Sequence, residues 1–351
     1  MTVTSKKVPG KTRPDVQPVA VIGAGSWGTA LACLLGSQGV PVRLWSRRPE
    51  QLDEISRLRE NRRYLPGVLL PECIHPEAEL TRAVRDCFCV LLVVPSHVLR
   101  EVFCRILPAL RPGALLISAT KGIENDSLQT MTQVMAGELH AQSLTGHPLV
   151  VLSGPSFARE VAAGLPAAVT VASLDQAAAI TAQQLFATSW FRVYTSSDVI
   201  GLEISAALKN VIAIAAGISD GLGFGTNARA ALITRGLAEI TRLGLCLGAD
   251  ARTFAGLGGL GDLVLTCTGD LSRNRTLGLK LGAGLSLQDA LAEMTMVAEG
   301  VKSTKSGFQL AERLGVEMPI LNQVHRILYD GIAPAEAVRE LLTRELKEEV
   351  S

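Results

Sequence analysis

The chain has 351 residues, 48% hydrophobic and 19% charged, which excludes a disordered protein and leaves room for two domains with substantial cores. A formal net charge of +1 lacks the basic excess of a dedicated nucleic-acid binder. No apolar run approaches the roughly 18 residues expected of a membrane span.

Residues 1–18 are rich in Lys, Thr and Pro without the apolar stretch of a secretory signal, so a disordered tail is expected there. The seven cysteines are scattered, and only Cys87 and Cys89 lie close, at a spacing that suits neither zinc nor a redox pair. They are expected to be small buried hydrophobes in a reducing cytoplasm.

From Val19 the run VAVI predicts a short strand, followed by glycines, then by apolar residues at helical spacing ending near Gly39, then by a second strand in VPVRLW. This is the setting that the G-x-G-x-x-G fingerprint Gly23, Gly25, Gly28 needs in order to bind a dinucleotide. The first glycine permits the tight turn, the second admits a pyrophosphate, and the third lets helix and strand pack closely. After the second strand, an NAD-preferring site would carry an acid for the ribose 2′-hydroxyl. Here Ser46, Arg47 and Arg48 come first and the first acid is Glu50. Two guanidiniums suit a 2′-phosphate, so NADP is expected to bind well; the alternative is a solvated basic strand end.

Strands are predicted in FCVLLVVP, ALLISATKG, PLVVLSGPS, AAVTVAS and FRVYTS, with helices in SHVLREVFCRILPAL and LDQAAAITAQQLFAT. Apolar runs without alternation fit a parallel sheet covered on both faces, hence a Rossmann-type doubly wound domain over residues 19–202. Ligands bind beyond the carboxyl ends of such strands, where Lys121 and Ser156 fall.

Beyond Ser197 the pattern becomes helical, predicting an all-α C-terminal domain over residues 203–351, a join near Asp198 to Glu203, and an active site in the crevice between the domains. In LKNVIAIAAGISDGLGFG, Lys209 and Asn210 sit among Ile204, Leu208, Ile212 and Ala215. A buried lysine must be paired or used, unless it snorkels to the surface. Glycines at 217, 221, 223 and 225 favour a ligand site by bringing backbone close. Asp262 follows a mobile glycine cluster beginning at Gly256, and could orient Lys209, accept a substrate hydroxyl, or cap a helix. Ser272, Arg273, Asn274 and Arg275 gather donors that suit phosphate oxygens. Glu299 could hold a cofactor group or cap the next helix.

The motifs GAGSWGT, LWSRR, YLPG, TKGIE, GPSFARE, EISAALKNVIAIAAGISDGLGFGTNARAALITRGLAE, GLGGLGDLVLTC, SRNR and VAEGVKS, in order from about Val19 to Leu328, resemble the bacterial-type NAD(P)-dependent glycerol-3-phosphate dehydrogenases. The resemblance implies an oxidoreductase interconverting sn-glycerol 3-phosphate and dihydroxyacetone phosphate with NAD or NADP, feeding phospholipid synthesis, as a cytoplasmic homodimer. It implies Lys209 as the proton-transfer residue, and Lys121, Gly154, Ser156, Asp262, Ser272, Arg273 and Asn274 as substrate contacts. For the dinucleotide it implies Ser26, Trp27, Arg47, Arg48, Tyr64, Lys121, Ala158, Arg273, Val297 and Glu299. ISAA before LKN departs from the small glycines more usual there, which bears on helix packing and not on chemistry. A hydroxyacid or opine dehydrogenase of the same architecture is the rival enzyme, and an NADP-sensing regulator the non-catalytic one. The direction of the Lys209 pKa shift is not legible, because burial, Lys121 and Arg273 would lower it while Asp262 would raise it.

Overall fold

The computed structural model describes residues 17–294, 298–346, 348 and 349. Nearly all of the predicted tail, and Val297, lie outside the described residues. Apolar β1 (Val19–Ile22) turns through the glycine loop into α1 (Ser26–Ser37), followed by β2 (Val42–Trp45), α2 (Pro49–Leu58), β3 (Ile74–Glu77), α3 (Leu80–Val84) and β4 (Cys89–Leu92). Then come α4 (Leu99–Ile106), β5 (Leu115–Ser118), α5 (Met131–Ala141), β6 (Leu149–Ser153), α6 (Ala158–Ala162), β7 (Ala167–Ala172), α7 (Gln176–Phe186) and β8 (Phe191–Ser196). One eight-stranded sheet results, in the order β3-β2-β1-β4-β5-β6-β7-β8. β1, β4 and β5 are buried at every residue, as their unalternating sequences require.

Two features depart from the sequence expectation. β3, the run IHPE, is not among the predicted strands; Pro76 cannot donate to a ladder and is tolerated because β3 is an edge strand. The sheet is also not wholly parallel: β7 runs antiparallel to β6, and β8 parallel to β7.

The helical half comprises α8 (Val199–Gly221), α9 (Thr226–Cys246), α10 (Ala251–Phe254), α11 (Asp262–Thr268), α12 (Arg273–Gly282), α13 (Leu287–Ala292), α14 (Glu299–Leu314), α15 (Pro319–Tyr329) and α16 (Pro334–Leu342). At 23 residues α8 is long and apolar enough to cross a membrane by length and composition, contrary to the sequence reading. Instead it is the core helix: every residue from Gly201 to Ser219 is buried, with α9, α11, α12, α14 and α15 packed around it. A helix apolar on all sides needs such a surround.

α8 and α12 touch through paired glycines. A Cβ on Gly217 would lie 2.1 Å from the Arg275 carbonyl oxygen, and one on Gly278 2.1 Å from that of Ile214. Gly221 and Gly282 oppose each other in the same way. Two of the four glycines read as ligand-facing are therefore packing residues, whereas a Cβ on Gly223 or Gly225 would meet nothing within 4 Å. The cluster from Gly256 forms a π-helical turn over Leu257–Gly261 with Gly258 and Gly259 buried. Cys33, Cys87, Cys89 and Cys267 are buried as expected, but Cys246 is exposed at the end of α9; all seven cysteines are free.

Candidate active site

The glycine loop matches its fingerprint physically. Gly23 has φ +121°, and a Cβ there would lie 2.4 Å from the Val93 carbonyl oxygen; one on Gly28 would lie 1.8 Å from that of Gly23. Gly25 caps α1 with no side-chain acceptor and no acid in the first turn, so the positive end of the helix dipole favours an anion there. A Cβ on Gly25 would meet nothing within 4 Å. Trp27 adds a buried indole Nε1 without a partner. Open space at Gly25, a helix N-terminus without an acid and an orphaned indole donor fit a dinucleotide.

Behind the loop lies a polar support that sequence reasoning missed. Gln51 Nε2 and Asn61 Nδ2 donate to the Ala24 carbonyl at 2.6 and 2.9 Å, and Ser46 Oγ donates to Gln51 Oε1 at 2.8 Å. Ser46 is thereby structural. Arg48 Nη1 donates to the Tyr64 hydroxyl at 2.9 Å, and Ser26 Oγ to the Tyr64 carbonyl at 2.7 Å. Arg47 stands exposed just past β2. Glu299 opens α14. Burial and Lys302 push the His97 imidazole below its ordinary pKa while Glu299 opposes them, so Glu299 and Arg47 both lie within electrostatic reach of that ring. Ala158 begins α6, half-buried.

The chemical centre joins the two halves. Lys209 is 5% exposed, and its Nζ donates to Asp262 Oδ1 at 2.6 Å and to Thr266 Oγ1 at 2.7 Å. Lys121 Nζ, from the loop after β5, donates to Asp262 Oδ2 at 2.9 Å. One carboxylate at the start of α11 thus carries two ammoniums, one from each half of the chain. Burial pushes Lys209 down to about 8; Asp262 opposes this and Lys121 adds to it. Burial alone would raise Asp262, but the charges of Lys121 and Lys209 hold its carboxyl below the usual range. Lys209 is paired and does not snorkel. Thr266 was missed, although its place one turn after Asp262 on a helix is a readable signal.

Beside this bridge, Asn274 Nδ2 donates to Asn210 Oδ1 at 2.9 Å, and Asn274 Oδ1 accepts from Gly300 N at 2.9 Å, tying α8, α12 and α14 together. Ser272 caps α12 by accepting from Arg275 N at 3.2 Å. The two arginines part company. Arg275 is committed to Asp220 and Asp270, whereas Arg273 is exposed and makes no side-chain hydrogen bond or ion pair among the described residues. Gly154, at φ +146°, lies where a Cβ would stand 2.8 Å from Val169 Cα, and its carbonyl accepts from Ser156 Oγ at 2.9 Å.

The arrangement sets out a buried lysine paired to a carboxylate, an exposed arginine at the start of α12 and a glycine loop at a helix N-terminus, groups able to move a proton and to bind anions. Two family models match, described as the N-terminus and the C-terminus of NAD-dependent glycerol-3-phosphate dehydrogenase, over residues 18–179 and 198–339. A glycerol-3-phosphate dehydrogenase [NAD(P)+] of Desulfotalea psychrophila is 57% identical over 94% of this chain and 98% of its own. One of Geobacter sulfurreducens is 55% identical over 94% of this chain and 98% of its own. The crystal structure of glycerol-3-phosphate dehydrogenase from Coxiella burnetii superposes with a TM-score of 0.90 at 43% identity, covering 94% of this chain and all of that one. The chain belongs to the NAD-dependent glycerol-3-phosphate dehydrogenase family.

Proposed function

We propose that Lys209 is the proton-transfer residue in a reversible conversion of dihydroxyacetone phosphate to sn-glycerol 3-phosphate with NADPH or NADH. The observation that carries this is the buried Lys209–Asp262–Lys121 bridge. The nicotinamide, when bound, supplies or takes the hydride. In the reductive direction the Lys209 ammonium gives a proton to the oxygen that becomes the hydroxyl; in the oxidative direction its neutral amine removes that proton. Asp262 and Thr266 aim Nζ, and Lys121 brings a second positive charge toward the substrate oxygens. Arg273 presents its fork to the phosphate, supported by Asn274, Ser272 and the Gly154–Ser156 turn. Gly23, Gly25, Ser26, Trp27 and Gly28 hold the pyrophosphate end; Ala158 and Glu299 border the same cleft. Free Arg47, with Arg48 steadied by Tyr64, supports NADPH use. Oxidation of NADPH by dihydroxyacetone phosphate, with no oxidation by 2-keto acids, tests the reading against a hydroxyacid or opine dehydrogenase; the reverse preference removes it.

The pH dependence follows from Lys209 near 8. The reductive direction needs the ammonium, so its kcat/KM is full below that pH and falls as pH rises through it. The oxidative direction needs the amine and rises over the same interval. Profiles measured in both directions check this, and two flat profiles around pH 8 would sink the assignment.

The nucleotide-binding part is taken as residues 19–202 and the catalytic part as 203–351; the sheet ends at Ser196 and the core helix begins at Val199, a few residues ahead of that join. The reduced product carries a phosphate and two free hydroxyls, the form that acyl transfer to a glycerol backbone requires, which supports a role in glycerophospholipid supply. The family resemblance supports a homodimer, and the free thiols support a cytoplasmic setting.

A further inference from the structure

Glu203 lies on α8 six residues before Lys209, about 9 Å along the helix axis, and is 3% exposed. Its carboxylate does not face the bridge. Oε1 accepts from Thr132 N at 2.8 Å, and Oε2 accepts from the Thr132 hydroxyl. Thr132 lies in the first turn of α5, which has no acid of its own there. A helix of the nucleotide-binding half therefore receives a carboxyl acceptor at its N-terminus from the core helix of the other half; burial pushes that carboxyl up, while the Thr132 hydrogen bonds and the helix dipole favour its charged form.

The segment entering α5 is the one that carries Lys121. Ile123 and Thr130 form an antiparallel bridge, and Glu124 N donates to the Gln129 carbonyl at 2.9 Å. Residues 123–130 thus form a closed loop with Lys121 at one foot and Thr132 at the other. Ile123 packs in the same core as Ile204, Ala207 and Leu208 of α8. On the outer side Arg100 grips Glu124, with hydrogen bonds of 2.6 and 2.9 Å. Glu203 is the polar attachment of this loop to α8.

We propose that Glu203 is a positioning residue: by holding Thr132 it sets where Lys121 stands against Asp262, and through that contact it tunes proton transfer at Lys209. This rests on the reading of Lys209 above. The groups facing Lys209 are Asp262, Thr266 and Cys267 of α11 and Lys121 of the loop. Of these, only Lys121 is tied to Glu203. Withdrawing its charge from the bridge raises the midpoint at which Lys209 loses its proton.

The test uses full-length enzyme and the pH profile of glycerol 3-phosphate oxidation. Glu203→Ala and Thr132→Val should move the midpoint upward by roughly half a unit to one unit. Glu203→Gln should restore it, because its amide oxygen still accepts from Thr132 N and its NH2 can donate to the hydroxyl. In a Lys121→Met background Glu203→Ala should move the midpoint no further, the non-additivity expected of residues acting through one contact. Lower thermal stability with an unmoved midpoint, or an additive shift in that background, overturns the proposal. If Glu203→Ala does not fold, Thr132→Val decides by the same outcomes. Lys209→Ala, run alongside, separates the two readings. Retained oxidation there removes the proton-transfer role itself, whereas lost oxidation with an unmoved Thr132→Val midpoint removes only the positioning role.

Discussion

Lys209→Ala should lower turnover of dihydroxyacetone phosphate by about 10²- to 10⁴-fold, the range a positioned proton donor contributes, while NADPH binds nearly as well as to the parent. The second half of that statement follows from the bridge. Orphaning one member of a buried ion pair costs about 3–5 kcal/mol, enough to threaten the fold, but Asp262 keeps Lys121 at 2.9 Å when Lys209 is removed. The carboxylate stays paired, so the chemistry should fail without the architecture failing. The glycine loop belongs to β1 and α1 and has no contact with the lost ammonium. Initial rates by NADPH absorbance and a fluorescence titration of NADPH separate the two effects. Parent-like turnover in this variant would end the assignment.

Gly217→Val should destabilise the protein by about 3 kcal/mol or more, the upper end for overpacking a core, and raise the KM for the phosphorylated substrate. In an exposed helix, replacing glycine with a residue of better propensity gains a few tenths to about 1 kcal/mol. Here that gain loses, because the new carbon would meet the Arg275 carbonyl at 2.1 Å and the Gly278 Cα at 2.9 Å. Those neighbours are backbone and cannot turn aside as a side chain can. α8 and α12 must separate, carrying Asn274 and the start of α12 away from Asn210. Gly225→Ala, at a position with nothing within 4 Å, is the matched control. Thermal unfolding and substrate KM should change in the first variant and barely in the second.

Locally encoded features were legible. The strand–loop–helix at Val19 to Ser37, the unalternating central strands and the switch to helical spacing near Ser197 each follow from a short stretch of chain. The buried, paired state of Lys209 was legible because a charge on an apolar helix demands a partner. What was not legible depends on remote partners. The direction of β7 is set by where its strand docks, and the residues of AAVTVAS carry no mark of it. Arg273 and Arg275 read as one basic cluster, yet neighbouring positions on a helix face different ways, and Asp220, 55 residues away, claims one of them. The glycines of α8 looked ligand-facing because the matching glycines of α12 lie some sixty residues downstream. The fall of the Lys209 pKa reflects a balance between burial and two opposed charges, and only geometry weighs it.

The shared carboxylate divides the site by its response to salt. At physiological ionic strength screening acts over about 8 Å of solvent and reaches buried pairs much less. Asp262 and Lys209 lie out of reach of dissolved ions, 1% and 5% exposed, while Arg273 and Arg47 stand in water. Adding salt should therefore weaken the capture of phosphate groups and leave the protonation midpoint where it is. Ionic strength and pH become two separate handles on one active site, the first acting on arrival and the second on the reaction itself.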